Sequence, residues 1–313
     1  MPIIINLFRY WPRRFTLVGL CFLSTFVCYI DRVNISVAII PMAAEFDWDQ
    51  TTQGVVLSSF FYGYLATQIL GGWLADRYGG KVVLGAGVLL WSFFTLITPP
   101  AAAISFAALF FVRVGMGLGE GVAFPAIYNL FARWVPSGER ARSAALNVSG
   151  ISLGTVAALL LTPVIVVTLG WPWVFYLFGG LGFLWYFFWH FRVTNAPEAH
   201  PSISASELAE IRGNTAAPQT NGSIPWAQLL SRREVWAIII NHFCSNWGFY
   251  VILTWLPTYF NQALGVNINQ VGVYAVLPWL AMFLMANVSA WIADDMLRRG
   301  YSTTFVRKTM QSI

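Results

Sequence analysis

Charged residues are scarce in this sequence: only 10% of its 313 residues are Asp, Glu, Lys or Arg, whereas about a quarter is usual in soluble domains. Hydrophobic residues make up 58% of the chain, and the mean hydropathy is +0.64. This composition excludes an ordinary soluble domain. It is typical of an all-α protein that crosses a membrane several times.

Cysteine is also rare, and the three that occur, Cys21, Cys28 and Cys244, lie in apolar runs without the spacing of metal ligands. We interpret them as small buried hydrophobic residues and expect no disulfide. A metal-type His/Glu cluster, a nucleophile elbow and a phosphate-binding loop are all missing. We therefore expect no enzyme, no metal and no cofactor.

What the chain does contain is a series of apolar segments, most of them near the length of about 20 residues that crosses a bilayer. We predict eight spans, of which the third is short: Phe15–Ile40, Thr52–Leu74, Val82–Thr98, Ala103–Phe131, Ser143–Leu169, Trp173–Phe191, Val235–Phe260 and Val271–Ile292.

Basic residues are confined to alternate connections between these spans. The connections Pro41–Thr51, Pro99–Ala102, Gly170–Pro172 and Asn261–Gln270 contain no Lys or Arg. The positive-inside rule then places the N-terminus on the cytoplasmic side, or on the equivalent face of an organelle such as the stroma. This pattern accounts for the net charge of +5, so we expect no nucleic-acid partner.

Two similar stretches indicate an internal repeat. Trp73–Lys81 follows the second span and Trp291–Gly300 follows the eighth, on the same predicted side. Such a pattern is typical of parallel six-span repeats. We predict a six-helix bundle over residues 1–192 and a linker over 193–233. Residues 234–313 then form the first two spans of a second bundle, so we expect the chain to be part of a longer one.

The polar linker contains two local signals. Ser204 and Glu207 have the spacing of a capping box that begins a short helix. Trp226–Trp236 is interpreted as an interfacial helix that leads into the seventh span.

Only four ionisable groups fall inside the first and fourth spans: Asp31, Arg32, Arg113 and Glu120. A charged side chain in the bilayer centre costs at least roughly 2.5–3.5 kcal/mol, so these are functional candidates. Arg113 and Glu120 lie on one helical stripe about 10 Å apart. Internal ion pairs between two helices are the structural alternative, although desolvation leaves such pairs little net stability.

In the functional interpretation Arg32 and Arg113 bind an anion, because a guanidinium offers forked donors and stays charged when buried. Glu120 would change its protonation as Arg113 engages and releases substrate, so it is the candidate ion-coupling group. Asp31 is either a supporting residue or a second coupling site. In the seventh span His242, Asn246 and Tyr250 recur every four residues and could complete the site or simply join packed helices.

The loop after the second span resembles that of the major facilitator superfamily, through Gly72, Leu74, Ala75, Asp76, Arg77, Gly79 and Lys81. The run Tyr29, Asp31, Arg32, Asn34, Ser36 and Ala38 is similar to the anion:cation symporter family within it. Further stretches are most similar to its plant and algal plastid phosphate transporter group: Ser59–Tyr64, Gln68–Gly72, His242–Gly248, Leu253–Tyr259 and Val276–Trp279.

This resemblance implies a helical bundle that transports by alternating access, with Glu120 and Asp31 in coupling roles. The loop motif is a candidate gate in which Asp76 would pair with Arg133 until the carrier switches; positive charge that only sets topology is the alternative. Vesicular glutamate members carry an arginine where this chain has Ser245, which argues against a glutamate site. A plastid membrane is implied, although the first residues show no clear transit peptide.

The sequence therefore predicts a monomeric secondary transporter of inorganic phosphate or a similar small anion, coupled to H⁺ or Na⁺. An organic anion such as ascorbate, a sugar acid or glutamate is the alternative substrate. A truncated, non-transporting membrane protein is the further alternative.

Overall fold

The computed structural model describes residues 11–213 and 226–312, and within those ranges the chain is helical without strands. The predicted all-α class is confirmed. The helices are α1 Arg13–Glu45, α2 Gln50–Tyr78, α3 Gly80–Leu96, α4 Thr98–Ile104, α5 Phe106–Glu120, α6 Ala123–Trp134, α7 Ser137–Leu169, α8 Trp171–Arg192, α9 Ala205–Gly213, α10 Trp226–Leu230, α11 Arg233–Thr258, α12 Ile268–Arg298 and α13 Thr303–Ser312.

Six stretches of the described chain are long and apolar enough to cross a membrane: α1, α2, α5 with α6, α7, α8, and α11 with the π-helical turn that follows it. The pair α3 and α4 makes a seventh if it is counted as one span. The eighth predicted span lies in α12, whose segment Ile268–Met282 is apolar. The spans predicted from hydropathy therefore match the helices of a multi-pass membrane protein.

The third and fourth spans each contain two helices, α3 with α4 and α5 with α6. The sequence predicts a loop at Pro99–Ala102 and one continuous fourth span. The connection predicted at Pro99–Ala102 is helical, because Pro99 and Pro100 occupy the first turn of α4, where a missing amide proton costs nothing. The chain bends by 45° between α3 and α4. In the fourth span, α5 ends at Glu120 because Pro125 cannot donate a hydrogen bond to Gly121. The helical hydrogen bonding of this span is thus interrupted beside Glu120.

Helix α1 lies at the centre of the bundle, with every residue from Val27 to Ile39 buried. It packs against α7, α8 and α11, while α5 packs between α2 and α3. Glycines in α5 let the neighbouring helices approach closely: a Cβ on Gly117 would meet the backbone of Phe60 in α2, and one on Gly119 would meet the backbone of Trp91 in α3. These contacts hold α5 and its two ionisable groups inside the bundle.

The linker helix α9 docks on the start of α1. The Ser204 hydroxyl accepts a hydrogen bond from the Glu207 amide at 3.1 Å, as the capping box predicts. The Glu207 carboxylate instead accepts the backbone amides of Arg13 and Arg14, at 3.1 and 3.0 Å, and so caps α1. The predicted interfacial helix is two pieces, since α10 ends at Leu230 and α11 begins at Arg233.

Candidate functional site

Arg32 is the centre of the intramembrane polar cluster. Its side chain is buried in α1, and its Nη2 and Nε atoms lie 2.7 and 2.9 Å from one oxygen, Oε2, of Glu120. Glu120 is the last residue of α5 and is also buried. The two helices are therefore joined by a charge-assisted pair that uses one edge of the guanidinium.

Aromatic rings enclose the same guanidinium. Its central carbon lies 4.7 Å from the ring centroid of Tyr29, 4.9 Å from that of Phe60 and 4.7 Å from that of Tyr64. Cation–π attraction of this kind partly replaces the hydration that a buried charge loses. Arg32 is consequently held in a cage from which water is largely excluded.

The other edge of Arg32 faces the second set of spans. Its Nη1 atom donates to the hydroxyl of Tyr250 at 3.2 Å and to that of Tyr29 at 3.4 Å. Tyr250 lies in α11, and its ring packs edge-on against Phe61 of α2 at 4.8 Å. Helix α11 thus contributes one hydroxyl to the neighbourhood of the buried charge.

A cavity of about 270 Å³ adjoins these two hydroxyls. Its lining residues come from α1, α7, α11 and α12: Tyr29, Val148, Ile151, Ser152, Asn246, Phe249, Tyr250 and Met282. Of the three candidates in the seventh span, Asn246 and Tyr250 line this cavity. His242 is exposed and does not line it; its backbone carbonyl accepts a hydrogen bond from the Asn246 side chain at 2.8 Å.

Arg113 has a different environment, although it is equally buried. Its Nη1 atom lies 3.1 Å from the Met116 sulfur and its central carbon 5.6 Å from the Phe60 ring centroid. In the part of the chain that the structure describes, no carboxylate lies within the 4.0 Å of a salt bridge to it. Arg113 therefore acts on Glu120 at a distance and not through a direct ion pair. Seven residues separate them by about 10 Å along α5, whereas α1 brings Arg32 alongside.

Asp31 is the second buried acid. It is completely inaccessible, and neither carboxylate oxygen has a hydrogen-bond partner among the described residues. The charges of Glu120 and Arg113 act on it, and the Trp91 indole lies nearby without meeting the geometry of a hydrogen bond. Glu120 likewise has one oxygen, Oε1, that is buried without a hydrogen bond in the described ranges. An unsatisfied carboxylate is costly to bury, so these oxygens are available for a proton or a cation.

Two residues near Arg32 escaped the sequence interpretation. The Cys28 thiol donates to Glu120 Oε2 at 3.1 Å, and the Tyr29 hydroxyl accepts from Arg32. They precede Arg32 by four and three residues in α1, which places all three on one face of the helix. That spacing is the signal in the sequence that points to Cys28 and Tyr29 as neighbours of Arg32.

The loop-motif acid has another partner than expected. Asp76 Oδ1 accepts a hydrogen bond from the Asn129 side chain at 2.7 Å, and no ion pair between Asp76 and Arg133 occurs within the described residues. Asn129 lies one turn before Arg133 in α6 and is half-buried, whereas Arg133 is exposed. Asp76 therefore contacts the neutral side chain of Asn129, one turn earlier in α6, and does not form the predicted ion pair with Arg133.

The other members of the motif set the turn between α2 and α3. Gly79 has φ +88°, and a Cβ there would collide with the Asn195 side chain. Asn195 Oδ1 accepts the Lys81 backbone amide at 3.0 Å. Arg77 stacks at 5.4 and 5.6 Å on the rings of Trp73 and Tyr78, and Gly72 faces open space. A glycine is therefore required at 79 but not by packing at 72.

Metal ligands are not assembled anywhere in residues 11–213 and 226–312, since no group of three or more His, Cys, Asp or Glu side chains comes together there. The intramembrane cluster instead has two cations and two acids, together with tyrosine hydroxyls and one thiol. Its chemistry is suited to binding anions and transferring protons.

Curated relatives cover nearly the whole chain. The chloroplastic ascorbate transporter of Arabidopsis thaliana is 50% identical over 97% of this chain and 56% of its own length. The chloroplastic sodium-dependent phosphate transport protein 1 of Arabidopsis thaliana is 47% identical over 97% of this chain and 59% of its own length. The chain thus spans less than two thirds of the length of these relatives. The resemblance to the plastid anion and phosphate transporter group is confirmed.

Solved structures show the same fold at low identity. A bacterial homolog of the human lysosomal transporter Spinster, in an inward-facing and unoccupied conformation, matches with a TM-score of 0.72 and 17% identity. The match covers 92% of this chain and 64% of that one. The predicted bundle architecture is therefore confirmed. Because the family model of the Major Facilitator Superfamily matches residues 21–306, this chain belongs to the Major Facilitator Superfamily.

Proposed function

We propose that the chain carries the anion-binding half of a secondary active transporter for a small anion. The observation that supports this most directly is the divided environment of Arg32. One edge of its guanidinium is bound by Glu120, and the other donates to two tyrosine hydroxyls beside a cavity. An arginine that only joined helices would not need a cavity at its free edge.

The coupling step is an exchange of partners at Arg32. While Glu120 is ionised, its Oε2 oxygen occupies the Nε and Nη2 donors. A proton that arrives at the bare Oε1 oxygen neutralises the carboxyl and weakens that pair, so the guanidinium can offer its fork to an anion. Alternating access then carries the anion and the proton together. Asp31, whose oxygens also have no partner in the described residues, provides a second place for the coupling ion.

Inorganic phosphate or a similar small anion is the first substrate class, driven by H⁺ or Na⁺. A relative named as a sodium-dependent phosphate transport protein is 47% identical to this chain. Arg113 supports this class, because it is a buried guanidinium with no carboxylate within salt-bridge distance in the described chain. Two guanidinium groups suit an anion that carries more than one negative charge.

An organic anion is the second class, and the cavity lining favours it. Hydroxyl and amide groups of Tyr29, Ser152, Asn246 and Tyr250 share the cavity with the flat ring of Phe249. Such a surface can hold the alcohol groups and the ring face of an organic anion, neither of which inorganic phosphate has. A relative named as an ascorbate transporter is 50% identical.

The coupled activity belongs to the whole protein, since the relatives extend well beyond this chain. Their chloroplastic names support a plastid membrane, and the positive-inside rule would direct the basic face of the chain towards the stroma. A monomer is expected, and the protein acts as a carrier and not as an enzyme.

The test is uptake of labelled phosphate by the protein in proteoliposomes, under imposed proton or sodium gradients and with ascorbate as competitor. We expect Glu120→Gln to abolish gradient-driven accumulation while exchange of labelled for unlabelled anion continues. Glu45→Gln is the matched control, because Glu45 is an exposed acid of the same bundle that binds the Trp171 indole at 2.6 Å. Full accumulation by Glu120→Gln would refute the coupling role, and stronger uptake of labelled ascorbate than of phosphate would select the organic class.

A further inference from the structure

A second cavity lies outside the transport site. It has a volume of about 490 Å³ and is formed where the start of α3 meets the end of α8 and the residues after it. We propose that this groove binds one anionic phospholipid from the leaflet on the basic face of the membrane. The proposal does not depend on the transport mechanism.

The groove changes character along its length. On α3 its wall descends from Lys81 through Val82 and Ala86 to Leu89, which spans about 12 Å along the helix axis. Beyond the charged first residue this wall is entirely apolar. The depth and polarity match the upper part of an acyl chain whose headgroup lies at the membrane surface.

The polar end of the groove lies where α3 begins and α8 ends. It is formed by Lys81, His190, Thr194 and Asn195. Lys81 Nζ donates to the His190 backbone carbonyl at 3.2 Å, which orients the ammonium across the mouth of the groove and leaves two of its three protons for a ligand. Basic pockets between transmembrane helices on this side of a membrane bind anionic headgroups.

Contacts within and between α3 and α8 hold the walls of the groove in place. The Trp189 indole donates to the Lys81 carbonyl at 3.0 Å and stacks on Trp185 at 4.8 Å. A Cβ on Gly85 would lie only 3.0 Å from the Tyr186 ring, so the glycine allows α8 to come close. Tryptophan and tyrosine are also the residues that anchor helices at membrane interfaces. The groove is therefore preformed at headgroup depth.

A free phosphate ion would use only the charged mouth and leave the apolar wall uncovered. A zwitterionic lipid would fill the wall, but its positive group would oppose Lys81. An anionic phospholipid satisfies both ends. It would also connect α3 to α8, two helices of one bundle, without contact to Arg32 or Glu120.

The experiment is native mass spectrometry of the purified chain released from detergent with added phosphatidylglycerol, phosphatidylcholine or inorganic phosphate. We expect one phosphatidylglycerol to be retained in preference to phosphatidylcholine. Lys81→Gln should weaken retention of phosphatidylglycerol roughly fivefold, since one basic residue contributes about 1 kcal/mol to such binding, whereas Lys81→Arg should keep it.

A steric variant separates the groove from charge alone. Ala86 is exposed and lines the groove, so Ala86→Trp should fill it and reduce retention of the lipid. Leu90→Trp is the control, because Leu90 is an exposed residue of the same helix that does not line the groove. Elution as a single species and an unchanged melting temperature would show that each variant is folded. Equal retention of both lipids by the unmodified protein, or full retention by Ala86→Trp, would overturn the proposal, as would binding of phosphate alone.

Discussion

Among the described residues, buried arginines lie in two regions, and their partners differ. At the end of the bundle where α9 docks, Arg14 donates to Glu139 at 3.0 and 3.2 Å and to Glu210 at 2.8 and 3.0 Å. In the middle of the bundle Arg32 meets a single carboxylate oxygen, and Arg113 meets a thioether and an aromatic ring.

The difference separates a fully paired cluster from an incomplete one. Every guanidinium nitrogen of Arg14 meets a carboxylate, and the two acids that accept its hydrogen bonds, Glu139 and Glu210, are partly exposed. Around Arg32 and Arg113 the acids are buried, and three of their four oxygens have no hydrogen bond in the described chain. A site left incomplete inside a membrane is one that another ion can complete.

The largest effect should come from comparing the two intramembrane arginines by the same substitution. Arg32→Met leaves Glu120 without its charged partner, so the free energy of unfolding should fall by about 3–5 kcal/mol. Arg113→Met removes a charge that has no close carboxylate, so its effect should stay within about 1.5 kcal/mol. Unfolding in mixed micelles at neutral pH measures both.

Arg32→Met and Arg113→Met should differ in stability, but both should lose anion binding. Binding of labelled phosphate or ascorbate measures that loss. An equal loss of stability in the two variants would show that Arg113 has a strong partner. Retained anion binding by Arg113→Met would remove it from the site.

The second-largest change in the free energy of unfolding should come from the cluster around Arg14. Arg14→Met removes the pairs with Glu139, Glu207 and Glu210, and because Glu139 and Glu210 are partly exposed we expect a cost of about 1–2 kcal/mol. The helix α9 should therefore open more often, with backbone hydrogen exchange roughly 5–30 times faster. Arg299→Gln is the control, since it breaks an exposed pair with Asp295. Anion binding should be unchanged, and a loss of binding would contradict the separation of the two regions.

Sequence reasoning could predict the fold because hydropathy, the absence of Lys and Arg from alternate connections, and the loop motif all report on a membrane topology. It also selected the four intramembrane ionisable residues, because a charge in an apolar run is costly wherever its side chain points. It could not predict which of them would pair. Arg113 shares a helix with Glu120, yet the contact depends on how α1 packs against α5, which periodicity along one chain segment does not specify.

The same limit explains two smaller errors. Asn129 and Arg133 are one turn apart in α6, and only the packing of α2 shows which of them meets Asp76. The sequence predicts that Cys28 is a small apolar residue, whereas in the structure its thiol donates a hydrogen bond to Glu120. Composition and spacing give the candidates, whereas contacts between helices decide the partners.

Cys28 allows a finer test of the intramembrane region. Its thiol donates to the Glu120 carboxylate at 3.1 Å, so Cys28→Val removes that hydrogen bond and leaves the pair with Arg32. The free energy of unfolding should therefore fall by about 1 kcal/mol in Cys28→Val, and Cys28→Ser should restore it. Unfolding in mixed micelles measures both variants. An unchanged free energy in the valine variant would mean that the thiol has no influence on Glu120.

The smallest effect lies in the docked linker, where His200 provides a pH-dependent contact outside the spans. Burial lowers the pKa of His200, and the neighbouring positive charge of Arg13 acts in the same direction. The Nδ1 atom accepts the Ser202 amide at 3.2 Å, a bond that protonation of that nitrogen would break. Because the folded pKa is lowered, this stability is complete above the unfolded value of about 6.5 and is lost as the pH falls below it. Exchange of the Ser202 amide, corrected for its intrinsic rate, should therefore quicken between pH 7.5 and 5.5. His200→Gln should remove that dependence while His190→Gln, a change at an exposed histidine, keeps it. If all three proteins responded alike, the linker would be held by the Arg14 cluster alone.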